Sequence, residues 1–209
     1  MSQTSQNSAG EPKSSYGRRS FIKQSVVSLG VTVKEYVKHR DASPPKKEET
    51  VAVRSDWLRP PGAVEESLFL DRCTSCGDCV SACPYGSIRN REVDETPVIF
   101  SNEIPCYLCG DFPCIAACET EALLPVGELG QVKMGLAVVS FKVCTAEQGC
   151  NACVSQCPTQ ALTMDFSSFR IRVNTELCVG CGICEQTCKT VNDRIAIKVV
   201  PTRLLEVSP

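Results

Sequence analysis

Sixteen cysteines fall into four short groups between residues 73 and 188, and their spacing constrains the fold more than any other feature. In a small secreted chain, this many cysteines would suggest a disulfide scaffold. A disulfide framework gives no reason for one spacing to recur four times, with the last cysteine of each group always four positions after the third. The four groups are Cys73, Cys76, Cys79, Cys83; Cys106, Cys109, Cys114, Cys118; Cys144, Cys150, Cys153, Cys157; and Cys178, Cys181, Cys184, Cys188.

The spacing within the groups is typical of iron–sulfur ligands. The first and fourth groups are C-x2-C-x2-C-x3-C, in which three thiolates hold one 4Fe–4S cluster and the fourth ligates its neighbour. The second group widens the middle gap and the third widens the first gap. Zinc sites usually pair two C-x2-C hooks across a longer loop, and the single histidine, His39, lies outside every group. We therefore predict four 4Fe–4S clusters, with all sixteen cysteines as iron ligands.

The fourth cysteines can be exchanged between groups in two ways. In a sequential arrangement the first group pairs with the second, and the third with the fourth. In a nested arrangement the first pairs with the fourth, and the second with the third. The two regular groups are the outer ones and the two modified groups are adjacent, which favours the nested arrangement. Cys188 would then complete the first site, Cys83 the fourth, Cys157 the second and Cys118 the third.

The segment from Cys73 to Val199 behaves as an internal repeat of a cysteine loop, a helical turn and a β-hairpin arm. An aliphatic residue follows the last cysteine by five positions after the first three groups, at Ile88, Leu123 and Leu162. Residues 161–164 and 169–173 have the pattern of a strand pair, and residues 195–199 form a strand-like run. Three glycines allow the tight backbone that a cluster loop needs, namely Gly77, Gly180 and Gly182.

These features predict an α+β fold. We expect tandem bacterial-ferredoxin-like modules, each for two clusters, with short helices, β-hairpins and little regular structure outside the cluster loops. The aromatic fraction is only 6%, so large apolar side chains are scarce for a domain of this length. Metal–thiolate bonding can supply the missing folding free energy.

Residues 1–50 differ from the rest, because they contain no cysteine and are rich in Ser, Gln, Lys and Pro. Arg18-Arg19 precedes an uncharged stretch over residues 24–33, which is typical of a twin-arginine export signal. The alternative is an ordinary basic pair at the start of a short amphipathic helix. Clusters are assembled in the cytosol, so an exported cluster protein must cross the membrane folded, as that route allows. We predict a signal-like segment and linker over residues 1–50 and a polyferredoxin domain over residues 51–209.

Charge and motifs exclude several function classes. The formal charge of −2 counts cysteines as neutral, and ligation by thiolates makes the holo-protein more acidic, which disfavours nucleic acid as a partner. The chain has no Gly-rich nucleotide loop and no His-based dyad, which argues against an enzyme and a small-molecule substrate. We interpret Glu65-Glu66 as solvated surface, and Tyr85, Tyr107 and Phe112 as packing that shields a cluster.

Several stretches outside the cysteines are characteristic of one group of proteins, namely Arg18-Arg19 and residues 58–63, 82–85, 104–118, 134–138 and 196–199. In these stretches the sequence resembles the NapG/MauM group of ferredoxin-type proteins. The resemblance implies a protein in the periplasm or on the periplasmic face of the membrane, exported by the twin-arginine route, with membrane association through the N-terminal segment. It also implies a membrane quinol-oxidising protein as electron donor and a periplasmic reductase, typically nitrate reductase, or a cytochrome as acceptor.

Other roles remain open at the level of sequence. The chain could be the cluster subunit of a larger membrane-bound or molybdenum oxidoreductase, which stable co-purification with a catalytic chain would indicate. It could instead be a maturation factor for a periplasmic redox enzyme, in which case its clusters would be dispensable. A cytoplasmic location is the alternative to export.

Overall fold

The computed structural model describes residues 54–205 and Tyr36. The signal-like segment, including Arg18-Arg19, lies outside the described residues except for Tyr36, so the boundary expected at residue 50 stays a prediction. Residues 54–205 belong to one compact unit. In the part of the chain that the structure describes, no helix has the length and apolar character needed to cross a membrane.

The first half of the unit carries short elements around the first two cysteine groups. Its first helix starts after Glu65, whose carboxylate caps it by accepting the Ser67 N–H at 3.1 Å. A β-hairpin, with Ile88 paired to Ile99, then separates the two groups. The elements are α1 (Glu66–Arg72), α2 (Asp78–Ser81), β1 (Ile88–Asn90), β2 (Pro97–Ile99) and α3 (Pro113–Ala116).

The second half repeats this layout around the third and fourth groups. A hairpin with Leu162 paired to Val173 separates the groups, which confirms the predicted strand pair to within a residue at each end. The elements are 3₁₀ turns at Leu129–Gln131 and Ala146–Gln148, β3 (Gly135–Val139), α4 (Ala152–Ser155), β4 (Leu162–Asp165), β5 (Arg170–Val173), α5 (Ile183–Val191), β6 (Ile197–Pro201) and α6 (Thr202–Leu205).

The strand after the fourth group differs from the expected hairpin arm. β6 pairs antiparallel with β3, which precedes the third group, so the two ends of this half are tied together. The first half has the same connection in reduced form, because Ala63 before the first group bridges to Leu123 after the second. Each half is thus closed on itself, and we call residues 54–126 the first module and residues 127–205 the second module. Short helices and small antiparallel pairs confirm the α+β prediction.

Cysteines are part of the hydrophobic core. Phe69, Leu58 and Ile99 are fully buried in the first module, and Ile171 and Ile197 are buried in the second. Seven cysteines are buried in the same cluster of contacting residues: Cys79, Cys106, Cys114, Cys178, Cys181, Cys184 and Cys188. The core therefore surrounds the cysteine groups rather than standing apart from them.

One buried arginine organises the start of the first module. Arg59 is 7% exposed and forms a two-pronged ion pair with Glu66, with Nε–Oε2 and Nη2–Oε1 distances of 3.1 and 2.6 Å. Its guanidinium also lies over the rings of Trp57 and Phe69. The interpretation of Glu65-Glu66 as solvated surface holds for Glu65, which is exposed, but is wrong for Glu66. A buried guanidinium needs a carboxylate partner, and a sequence pattern does not reveal that need.

Candidate iron–sulfur sites

The structure gathers the sixteen cysteines around four small cavities, each lined by four of them. All sixteen are free thiols. The empty volume between the side chains, part of it open to solvent, is 320 to 360 Å³ in every case, so one kind of occupant suits all four. We name them site I (Cys73, Cys76, Cys79, Cys118), site II (Cys106, Cys109, Cys114, Cys83), site III (Cys144, Cys150, Cys153, Cys188) and site IV (Cys178, Cys181, Cys184, Cys157).

The exchange of fourth cysteines is sequential, so the nested arrangement favoured from the sequence is wrong. Cys118 lines site I and Cys83 lines site II, while Cys188 and Cys157 are exchanged in the same way in the second module. The cause is the hairpin between the groups of each module. By reversing the chain, it places the helix that ends one group beside the helix that ends the next. The gap widths that suggested nesting do not determine this geometry.

Glycines shape the loops that wrap the cavities, as predicted. Gly77, Gly180 and Gly182 have φ angles of 80°, 74° and 89°, a left-handed conformation that side chains with a Cβ rarely adopt. Gly77 caps α2 and Gly182 caps α5. Each of these caps directly follows the second cysteine of its group, so the third cysteine falls inside the helix and turns toward the cavity.

The electrostatics of the sites fit a positively charged inorganic core. Burial, with a further contribution from the nearby thiols, raises the pKa of Cys79 to about 12. Burial likewise raises the pKa of Cys106 to about 12 and that of Cys181 to about 11. Four thiolates cannot share one dry cavity unless positive charge compensates them. An iron–sulfur core supplies such charge and is held by four cysteine thiolates, so the donor set of each site fits a 4Fe–4S cluster.

Backbone amides donate to the sulfur of the exchanged cysteines. The N–H groups of Ser87, Leu123 and Ala196 lie 3.3, 3.4 and 3.2 Å from the sulfurs of Cys83, Cys118 and Cys188 respectively. At Cys83, burial opposes ionisation, but the N–H groups of the residues after it outweigh burial and lower the pKa. Hydrogen bonds to ligand sulfurs stabilise negative charge and are a main determinant of cluster potential.

Three aromatic residues border site II, as predicted. The rings of Tyr85 and Tyr107 lie with their centroids 4.5 Å apart, and Phe112 lies on the same cavity wall. Tyr85 and Tyr107 remain 54% and 41% exposed, so they form an outer cover rather than part of the core.

The two modules meet at the loops of sites II and IV. The backbone N–H of Cys106 donates to the carbonyl oxygen of Cys181 at 2.9 Å. Beside this contact, Glu185 is a buried carboxylate whose Oε2 accepts from the Ser101 hydroxyl at 2.8 Å and from the Val199 N–H at 2.9 Å. Sequence reasoning missed Glu185. Its only signal was a charged residue on a short helix between two ligand cysteines.

Comparison with known proteins identifies the class of the chain. Residues 60–123 and residues 144–192 each match a family described as a 4Fe-4S dicluster domain. The methylamine utilization ferredoxin-type protein MauM of Methylorubrum extorquens is 35% identical over 211 residues, covering 93% of both chains. The ferredoxin-type protein NapG of Escherichia coli is 34% identical over 178 residues, covering 76% of both. MauM of Paracoccus denitrificans is 38% identical over 164 residues, covering 70% of this chain and 72% of the relative.

The chain belongs to the NapG/MauM family of ferredoxin-type proteins. It is an iron–sulfur electron-transfer protein with two tandem dicluster domains, which indicate up to four clusters. The first domain match contains both cysteine groups of the first module and the second contains both groups of the second module. This division agrees with the sequential exchange of cysteines, because each dicluster domain then holds all eight of its own cysteines.

Proposed function

We propose that this NapG/MauM-type chain holds four 4Fe–4S clusters on all sixteen cysteines and relays electrons from a membrane quinol-oxidising protein to a periplasmic reductase or cytochrome. The observation that carries the proposal is the presence of four equivalent four-cysteine sites within one compact unit. Each site receives its fourth cysteine from the neighbouring group, so each cysteine group supplies ligands to both sites of its module.

The exposure of the cysteines suits a relay that meets partners at its surface. Cys76 of site I is the one exposed cysteine among the sixteen, all of which lie in the described part of the chain. The three cysteines that the fourth group gives to site IV are all buried. Site I is therefore accessible to a partner protein, whereas site IV is suited to internal transfer.

The partners and the location are supported by the relatives and by the N-terminal sequence. NapG and MauM are named as ferredoxin-type proteins, and MauM as a protein of methylamine utilization. Arg18-Arg19, followed by an uncharged run, favours export by the route that carries folded proteins. A donor in the membrane and an acceptor in the periplasm would both be within reach of such a protein.

Export is tested by fractionating cells that produce the tagged full chain, as wild type and as Arg18→Lys/Arg19→Lys. We expect the wild type in the periplasm or on the outer face of the inner membrane, and the double variant in the cytosol. Iron content is the control, since both proteins should carry the same amount per chain. Equal amounts of both proteins in the cytosol would contradict export.

Electron relay is tested with the purified full chain carrying its iron. We expect membranes supplied with quinol to reduce it under anaerobic conditions, and a periplasmic extract with an oxidised substrate such as nitrate to reoxidise it, both followed by visible absorbance. Chains in which Cys76 and Cys109 are replaced by Ala serve as the comparison. Stable co-purification with a large catalytic chain would instead favour a subunit role. Full support of a partner enzyme by cysteine-free protein would favour a maturation role.

A further inference from the structure

The contact between the modules brings together two particular sites out of the four. Cys106 lines site II and Cys181 lines site IV, and the hydrogen bond between their backbones joins the two ligand loops directly. A path from one ligand sulfur to the other thus consists of covalent bonds interrupted by a single hydrogen bond.

We call the Cys106–Cys181 hydrogen bond and the residues around it the junction. Neighbouring contacts hold the junction tightly. Gly182 follows Cys181 and packs against Ser101, whose Cα lies 3.1 Å from the position that a Cβ on the glycine would take. Ser101 donates to the buried Glu185 on α5. The ammonium group of Lys189, near the end of the same helix, donates to the Asn102 carbonyl at 2.9 Å. The segment just before Cys106 is therefore fixed against α5, the helix that carries Cys184 of site IV.

Within each module, the two sites are joined by the exchange of cysteines. In the first module, α2 and α3 contact each other, and the cysteines that follow them, Cys83 and Cys118, line sites II and I. In the second module, α4 and α5 contact each other in the same way, and Cys157 and Cys188 line sites IV and III. Sites I and II therefore form one adjacent pair and sites III and IV another, and the junction connects site II with site IV.

We propose that electrons cross between the modules at the Cys106–Cys181 contact, so that the four sites are used in the spatial order I, II, IV, III. This inference rests on the proposed relay function and adds its internal route. In each crossing, the site on one side loses one electron and the site on the other side gains it, and no bond is formed or broken. The route does not follow the order of the groups along the chain, and it makes sites I and III the two ends that face partners.

The order is tested by marking pairs of sites in the iron-loaded full chain with serine, which keeps an oxygen ligand and shifts the magnetic resonance signal of that site. Cys109→Ser with Cys178→Ser marks sites II and IV. Cys76→Ser with Cys150→Ser marks sites I and III. In the reduced protein, we expect spin–spin coupling between the marked sites to be several-fold stronger for II and IV. Equal or stronger coupling between I and III would overturn the proposal.

A second test disturbs the junction without touching a ligand. A methyl group in Gly182→Ala would overlap the Ser101 side chain, whereas Gly77→Ala, at the corresponding position of the first group, meets no heavy atom within 4 Å. The two glycines have similar φ angles of 89° and 80°, so backbone strain is matched. We expect Gly182→Ala alone to weaken the coupling between sites II and IV. Ser101→Gly, added to it, should partly restore that coupling.

If Gly182→Ala leaves the coupling between sites II and IV as strong as Gly77→Ala does, the proposed electron transfer across the junction is refuted. These experiments measure the magnetic coupling between sites and do not depend on electron transfer to or from a partner protein. A different order of sites would therefore leave the relay function standing. Failure of quinol to reduce the wild-type chain would refute the relay while leaving the measured order intact.

Discussion

Arg59 is predicted to contribute more to stability than any exposed ion pair of the chain. The change is Arg59→Met, which keeps an unbranched apolar stem and removes the charge and the planar fork. The variant loses the two-pronged ion pair with Glu66, the hydrogen bond to the Thr96 hydroxyl at 2.8 Å and the one to the Pro97 carbonyl at 3.0 Å. It also loses the placement of the guanidinium over Trp57.

The magnitude follows from the burial of the two partners. Removing one member of a buried ion pair costs about 3 to 5 kcal/mol, because the other charge is left without a partner. Glu66 is 25% exposed, so water can solvate it in part, and we take the lower value. About 3 kcal/mol corresponds to a fall in melting temperature of roughly 6 to 12 °C for a chain of this size.

The assay is thermal unfolding of the anaerobic iron-loaded chain by circular dichroism at one fixed scan rate, because loss of iron makes unfolding irreversible. Arg59→Lys should fall between wild type and Arg59→Met, since it keeps the charge without the fork. Arg72→Met is the matched control. Its partner Glu121 is 74% exposed and lies 3.9 Å away, so loss of this ion pair should lower the free energy of unfolding by less than about 1 kcal/mol. Equal small shifts for Arg59→Met and Arg72→Met would refute the reasoning.

Three further outcomes are expected. Cys118→Ser should alter the same magnetic resonance signal as Cys73→Ser, because both cysteines line site I, and effects on two separate signals would contradict the sequential exchange. Glu185→Gln should shift one cluster potential positively by tens of millivolts in a redox titration, since it removes a buried negative charge beside site IV while keeping an acceptor. Gly180→Ala should lower iron content per chain, because its methyl group would overlap the backbone of Gly135 at the start of β3, whereas Gly86→Ala, with open space around it, should keep the wild-type content.

The sequence predicted the chemistry of the sites better than their connectivity. Spacing identified all sixteen cysteines that line the four cavities, because ligand spacing is a local property of a loop. It favoured the wrong partners for all four exchanged cysteines, because exchange depends on where the chain reverses; these are Cys83, Cys118, Cys157 and Cys188. The strand pair predicted over residues 161–173 marks such a reversal in the second module, whereas the gap widths carry no information about it.

The polar contacts of the core were not predictable from local patterns. Glu66 appeared to be an ordinary surface acid, and Glu185 gave only the weak signal of a charge between two ligands. Glu66 becomes partly buried through its ion pair with Arg59, and Glu185 becomes buried beside Ser101, which lies 84 residues away in the sequence. Such pairings depend on tertiary packing, which neither periodicity nor spacing encodes. The pairing of β6 with β3 has the same origin, since it joins segments on either side of two complete cysteine groups.

The exchange of cysteines within each module has a consequence for biosynthesis. Site I cannot be completed until Cys118 has emerged from the ribosome, and by then every other cysteine of the first module has been made. Site III likewise waits for Cys188, the last cysteine of the chain. Iron in site I or site III therefore requires that every cysteine of that module has been translated. A cell that exports only folded proteins would benefit from this coupling, because a module that lacks its second cysteine group has no site with all four ligands.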